Sequence, residues 1–129
     1  MKRLILKRRD FARWQAGQRL PDSALCGAVR EIEAGLVDAD LGGHLFKKRI
    51  ASPGSGKRGG YRTLLSMRLG DRIIFLHGFA KNVKENITRD EAGALRYTGR
   101  VLLDLPPSSL DTALTAGILI EVSCNERDH

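Results

Sequence analysis

The run YRTLLSMRLGDRIIFLHGF, residues 61 to 79, restricts the fold of this chain more than any other stretch. From Tyr61 to Leu69 apolar and polar side chains alternate. Tyr61, Thr63, Leu65, Met67 and Leu69 share one side, while Arg62, Leu64, Ser66 and Arg68 share the other. Period two means a strand. The first set reads as core and the second as a half-wet surface carrying cations. Gly70-Asp71 is a hairpin turn. Arg72 to Phe79 is almost continuously apolar, as expected of a central strand covered on both faces. Phe46 to Ser52 supplies a further strand just upstream, so the middle of the chain predicts a three-stranded antiparallel meander.

The flanking segments predict helices with a strand at each end. Lys2 to Leu6 reads as a first strand, and Asp10 to Ala16 as a helix that packs Phe11 and Trp14 on the sheet. In LPDSALCGAVREIEAGL, Leu25, Val29, Ile32 and Leu36 form one apolar stripe of a second helix. Asp38 to Gly43 reads as a loop. Thr88 and Glu91 have capping-box spacing and open a helix that Pro106-Pro107 ends. SSLDTALTA and GILIEVS predict a short helix and a terminal strand. The order defines an α+β domain with helices on one face of the sheet. It is a single domain over residues 1–129, with a core to about residue 105 and a C-terminal extension over 106–129.

Charge is unevenly placed. The net charge is +7, and no Asp or Glu lies between Asp40 and Asp71. That interval holds seven Lys and Arg, so the other 15 basic and 15 acidic residues cancel. Six of the seven fall in KKRIASPGSGKRGGYR: Lys47, Lys48, Arg49, Lys57, Arg58 and Arg62. The PGSGKRGG stretch between the strands is too rich in Gly and Pro for a strand interior and reads as a flexible basic loop. A concentrated cation cluster attracts polyanions. The loop lacks the GxxxxGK[ST] spacing of a nucleotide-binding loop and opens no helix, so nucleotide hydrolysis is excluded.

No apolar run approaches membrane-spanning length. MKRLILKRRD is too short in apolar residues for the core of an export signal, which predicts a cytoplasmic protein. Cys26 and Cys124 have no metal or redox spacing and read as two reduced thiols. The histidines His44, His77 and His129 are scattered, and His77 within FLHGF reads as a hydrogen-bonded core residue.

GKRGGYRTLL followed by IIFLHGFAKN resembles the RelE/HigB superfamily of bacterial type II toxins. The likeness runs from Leu41 to about Leu103 and is greatest to the HigB-like branch with a long GKRGG loop. The resemblance implies a ribosome-dependent mRNA endonuclease; with acids absent from the basic interval and the histidines scattered, a route without metal or cofactor is the expectation. It also implies a cognate antitoxin, of helix-turn-helix type in this branch, through which the complex binds promoter DNA. The ParE branch of the same fold inhibits gyrase and cleaves nothing, so a non-cleaving toxin is the alternative. By position, Arg62 matches the family's catalytic strand arginine, Lys47 and Arg49 its basic pair on the preceding strand, and Lys81 a further basic residue. Lys57 and Arg58 belong to the branch's loop. The tyrosine that some members carry after the last strand is missing from AKNVKENI, and alternation puts Tyr61 on the core side.

These residues suit RNA cleavage by attack of a 2′-hydroxyl on its own phosphate. Arg62 would hold charge developing on phosphorus, with Arg49, Arg58 and Lys48 as phosphate contacts, although Lys48 points to the opposite side of its strand. Lys47 or Lys57, each beside another cation, is the candidate for proton transfer, and Lys81 for substrate contact.

Overall fold

The computed structural model describes residues 3–52, 56–81 and 86–124; of residues 57–59 it describes the backbone alone. Six strands form one sheet in the order β2-β3-β4-β5-β1-β6. The strands are β1 (Leu4–Arg8), β2 (Ala39–Asp40), β3 (Leu45–Ser52), β4 (Gly56–Arg68), β5 (Arg72–Ala80) and β6 (Leu119–Glu121). The helices are α1 (Arg9–Gln18), α2 (Asp22–Glu33), α3 (Arg89–Leu103) and α4 (Pro107–Thr115). The expected meander is β3-β4-β5. It is extended by β1, which runs parallel to β5, and by β6, which pairs antiparallel with β1. The C-terminal extension therefore completes the sheet edge.

The helices cover both faces, not one as the sequence order suggested. Ile5, Leu65, Met67, Ile73 and Phe75 point towards α1 and α2. Leu6, Leu64, Ile74 and Leu76 point towards α3 and α4. Neighbouring residues of one strand thus enter different cores, which requires two covering layers. The same layer corrects the half-wet reading of β4: Leu64 and Ser66 are wholly buried and Arg62 is 5% exposed. Helix α3 comes very close there. A Cβ on Gly99 would stand only 1.8 Å from the Ser66 hydroxyl, so only glycine fits. Both ends of α3 are fixed. The capping box forms, Thr88 N–H donating to Glu91 and Glu91 N–H to Thr88, at 2.7 and 3.1 Å. At the other end Arg72 donates to the Leu102 and Leu103 carbonyls, and Arg68 binds Asp104 at 2.6 Å.

Four further expectations give way. The GKRGG stretch is part of strand β4, and Ser52 pairs with Gly56 across residues 53–55, which lie outside the described residues. Glycine permits this, because a Cβ on Gly60 would sit 2.3 Å from the Ile50 carbonyl. Ala39–Asp40, expected as loop, makes a short strand beside β3. Leu36 leaves the α2 stripe, since the helix ends at Glu33 and Gly35 turns the chain at φ +93°; Leu36 is 57% exposed. Finally, Cys26 and Cys124 are joined in a disulfide, with Cα atoms 5.8 Å apart. The backbone bond from Val122 N–H to the Ile5 carbonyl steers the segment after β6 over the α2 face, where the two cysteines meet.

Candidate functional site

The strand register decides which cations can act together. Arg49 lies directly opposite Arg62, and Lys47 opposite Leu64. On the other side Arg62 pairs with Phe79 and Leu64 with His77. Lys81 donates its backbone N–H to the Gly60 carbonyl at 3.3 Å, one step further along. Leu64 and Phe79 belong to the α3 core, so Lys47, Arg49 and Arg62 face the α3 side with them. Directly opposed side chains have Cβ atoms about 5 Å apart and diagonal ones about 7–8 Å. One face therefore carries two cross-strand rows, Lys47-Leu64-His77 and Arg49-Arg62-Phe79, with Lys81 beside the second.

Burial grades this face. Arg62 is its floor. Lys47 and Lys81 are half-buried, and Arg49 is exposed on β3 just past its pairing with β2. A guanidinium stays protonated even when buried, and its field is less screened there than in water. Two acids from outside the acid-free interval approach the face. Asp38 accepts the backbone N–H of Arg49 at 2.7 Å and has an oxygen 3.8 Å from its Nε. Glu91, on the first turn of α3, lines a cavity of about 170 Å³ with His77, Ala94 and Leu95.

Lys48 does not join the cluster. It pairs with Thr63 on the α2 side, is 3% exposed, and binds Glu31 at 2.7 Å and the Leu36 carbonyl at 2.9 Å. Its ammonium is committed to holding α2 and the following turn, so its expected phosphate contact has no place in this geometry. Lys57 and Arg58 have backbone in β4, but their side chains lie outside the described residues. Tyr61 is on the α1 side, edge-on to Trp14 at 5.4 Å, away from the cations.

The cations near the N-terminus are used structurally. Arg3 bridges to Glu33 at 2.7 Å, and Arg9 donates to the Ala116 and Gly117 carbonyls. Lys7 binds Gln15 and Asp22 at 2.8 and 2.9 Å. Burial would raise the pKa of Asp22, but hydrogen bonds from Gln15 and Lys7 and the charge of Lys7 outweigh it and hold the carboxyl below its ordinary value.

His77 is the residue that sequence reasoning placed in the core. It is half-buried, beside Phe79 at 5.9 Å between ring centres, on the face of Arg62. The cause is a bulge: Leu65 pairs with Phe75 and Leu64 with His77, so Leu76 is an extra residue in β5. The signal was Gly78 within an apolar run. A Cβ there would stand 2.3 Å from the Trp14 ring. Among the described residues no group of three or more His, Cys, Asp or Glu is placed to hold a metal ion.

The chain is thus an α+β protein whose mixed sheet carries a basic face floored by a strand arginine. Residues 2–122 match the family described as the RelE toxin of the RelE/RelB toxin-antitoxin system, and the chain belongs to that family. It is thus a toxin with an antitoxin partner. No curated protein matches the chain. No helix among the described residues is long and apolar enough to cross a membrane.

Proposed function

We propose that this toxin is a HigB-like, ribosome-dependent endoribonuclease that cuts mRNA and stops translation. The observation that carries the reading is the register that sets Lys47, Arg49 and Arg62 on one face beside Lys81. A phosphodiester approaching from the β2-β3 end of the sheet meets Arg49 and Lys47 first and Arg62 beneath them. Arg62 stabilises the charge that grows on phosphorus. Preorganised donors of this kind are worth about 3 kcal/mol each when removed. Lys47 or Lys57 transfers a proton, Lys81 holds the substrate, and Arg49 and Arg58 neutralise flanking phosphates. The antitoxin, of helix-turn-helix type, occludes this face and carries the complex to promoter DNA. The work is done in the cytoplasm, where the ribosomes are, so the Cys26–Cys124 disulfide forms only when that compartment turns oxidising.

The test is incubation of purified toxin with mRNA, with and without ribosomes. Cleavage at codon-linked positions only when ribosomes are present is expected, and Arg62→Ala should lower its rate about 100-fold or more. Intact mRNA together with inhibited gyrase would instead make this a non-cleaving toxin of the same fold.

A further inference from the structure

We infer that His77 is the general base that takes the proton from the attacking 2′-hydroxyl. The inference rests on the nuclease reading above and deepens it. Its foundation is the bulge in β5. From Ile73 to Leu76 alternate side chains serve the two cores in turn, Ile73 and Phe75 towards α1 and Ile74 and Leu76 towards α3. Continued unbroken, that alternation would turn His77 under α1, into the layer of Trp14 and Phe11. The extra residue resets the phase, so His77 follows Leu76 onto the α3 side and Phe79 stays in step with it. A bulge is a device for re-aiming a side chain.

This bulge is stabilised from both sides of the sheet. The Leu76 carbonyl accepts a hydrogen bond from Arg8 Nε at 2.9 Å. On the α1 side Gly78 takes the place that His77 would have had, leaving room for the Trp14 ring. The outcome is an imidazole in the row of Lys47 and on the diagonal from Arg62, roughly 7–8 Å away at Cβ. That span is bridged by one phosphodiester with its ribose.

The charged groups around the imidazole come from the neighbouring elements: Arg8 on β1, which reaches the carbonyl of the preceding Leu76, Lys47 on β3, Arg62 on β4, Lys81 after β5, and Glu91 across the cavity on α3. Among them an imidazole is the group whose ordinary pKa is near neutrality. In the step proposed, the 2′-oxygen forms a bond to phosphorus and its proton passes to His77. The bond from phosphorus to the 5′-oxygen breaks, and that oxygen takes a proton from Lys47. The products are a 2′,3′-cyclic phosphate and a 5′-hydroxyl. Arg62 carries the charge on phosphorus throughout.

The experiment is single-turnover mRNA cleavage on ribosomes by wild type and by His77→Gln, from about pH 5.5 to 8, with melting curves to show that the variant folds. Wild type should show a rate that rises with pH through the imidazole range, about pH 6–7. His77→Gln should lose that limb and run roughly 100- to 10,000-fold slower. A variant that cleaves at the wild-type rate with the same pH profile overturns the assignment and leaves the nuclease reading intact. So does a wild-type rate that stays flat across this range, a result that needs no variant to fold. Absence of cleavage by wild type overturns both.

Discussion

Lys47 and Lys48 are adjacent in sequence and carry the same charge, yet the register sends them to opposite faces, so replacing them should have opposite consequences. Lys48→Met keeps the length and apolar stem of the side chain and removes the ammonium. The loss is one ion pair to Glu31 at 2.7 Å and one hydrogen bond to the Leu36 carbonyl at 2.9 Å. Breaking a fully buried pair costs about 3–5 kcal/mol. The Glu31 side chain is 36% exposed and rehydrates when its partner goes, so the cost is nearer about 2 kcal/mol. For a chain of 129 residues the unfolding entropy is about 0.27 kcal/mol/K, which makes that loss a fall of about 7 °C in Tm. Below the transition the folded variant should cleave mRNA as wild type does. Lys47→Met should do the reverse, leaving Tm within about 2 °C and lowering cleavage at least tenfold. Differential scanning fluorimetry paired with the ribosome cleavage assay reads both quantities. If Lys48→Met kept its Tm and lost cleavage, Lys48 would be facing the RNA and the assignment of faces in β3 would be wrong.

Two further outcomes follow from groups away from the basic face. The Cys26–Cys124 bridge closes a loop of 98 residues, so reducing it, or replacing both cysteines by serine, should cost about 2–4 kcal/mol; a urea midpoint unchanged by reductant would show that the bridge constrains nothing. Asp22 has its folded pKa depressed, so its contribution is fully present above its ordinary value of about 3.8 and is lost as pH falls through the lower folded value. The stability gap between wild type and Asp22→Asn in urea should therefore be widest near pH 6 and narrow below about pH 4; a gap that does not change with pH would mean that the carboxylate charge is not what Lys7 and Gln15 hold.

The elements of this fold were legible wherever a periodic pattern ran with clear end signals. Tyr61–Leu69, the Thr88–Glu91 capping box and the Pro106-Pro107 stop are such cases: the helix opened and closed near its expected bounds, and the strand ended where expected but began earlier, at Gly56. Pairings between distant segments were not legible. The parallel contact of β1 with β5 and the closure by β6 join residues that carry no mutual mark in sequence. The disulfide is of the same kind: its cysteines are 98 positions apart in sequence, and only the path of the chain after β6 brings them together. Covering both sheet faces with helices was hidden because Arg62, Ser66 and Arg68 made one side of β4 look wet. In the fold, Ser66 meets Gly99, and Arg68 reaches past the sheet to Asp104.

The same physics sorts the candidate residues. Alternation from a secure strand placed Lys47, Arg49 and Arg62 together, because one unbroken register links β3 and β4 from Leu45 to Ile50. It failed for His77 because a bulge changes the phase of a strand by one residue, and a string of apolar letters does not show where the extra one sits. Gly78 was the trace of it. A glycine in a central strand gives up packing area and β-propensity, so something must require the space its missing Cβ leaves. Here the Trp14 ring fills that space, and it does so only because His77 has moved to the other face. The tryptophan that reads from sequence as ordinary helix-to-sheet packing is therefore part of what aims the histidine. Enlarging residue 78 would displace both, which ties the α1 side of the sheet to the chemistry on the α3 side.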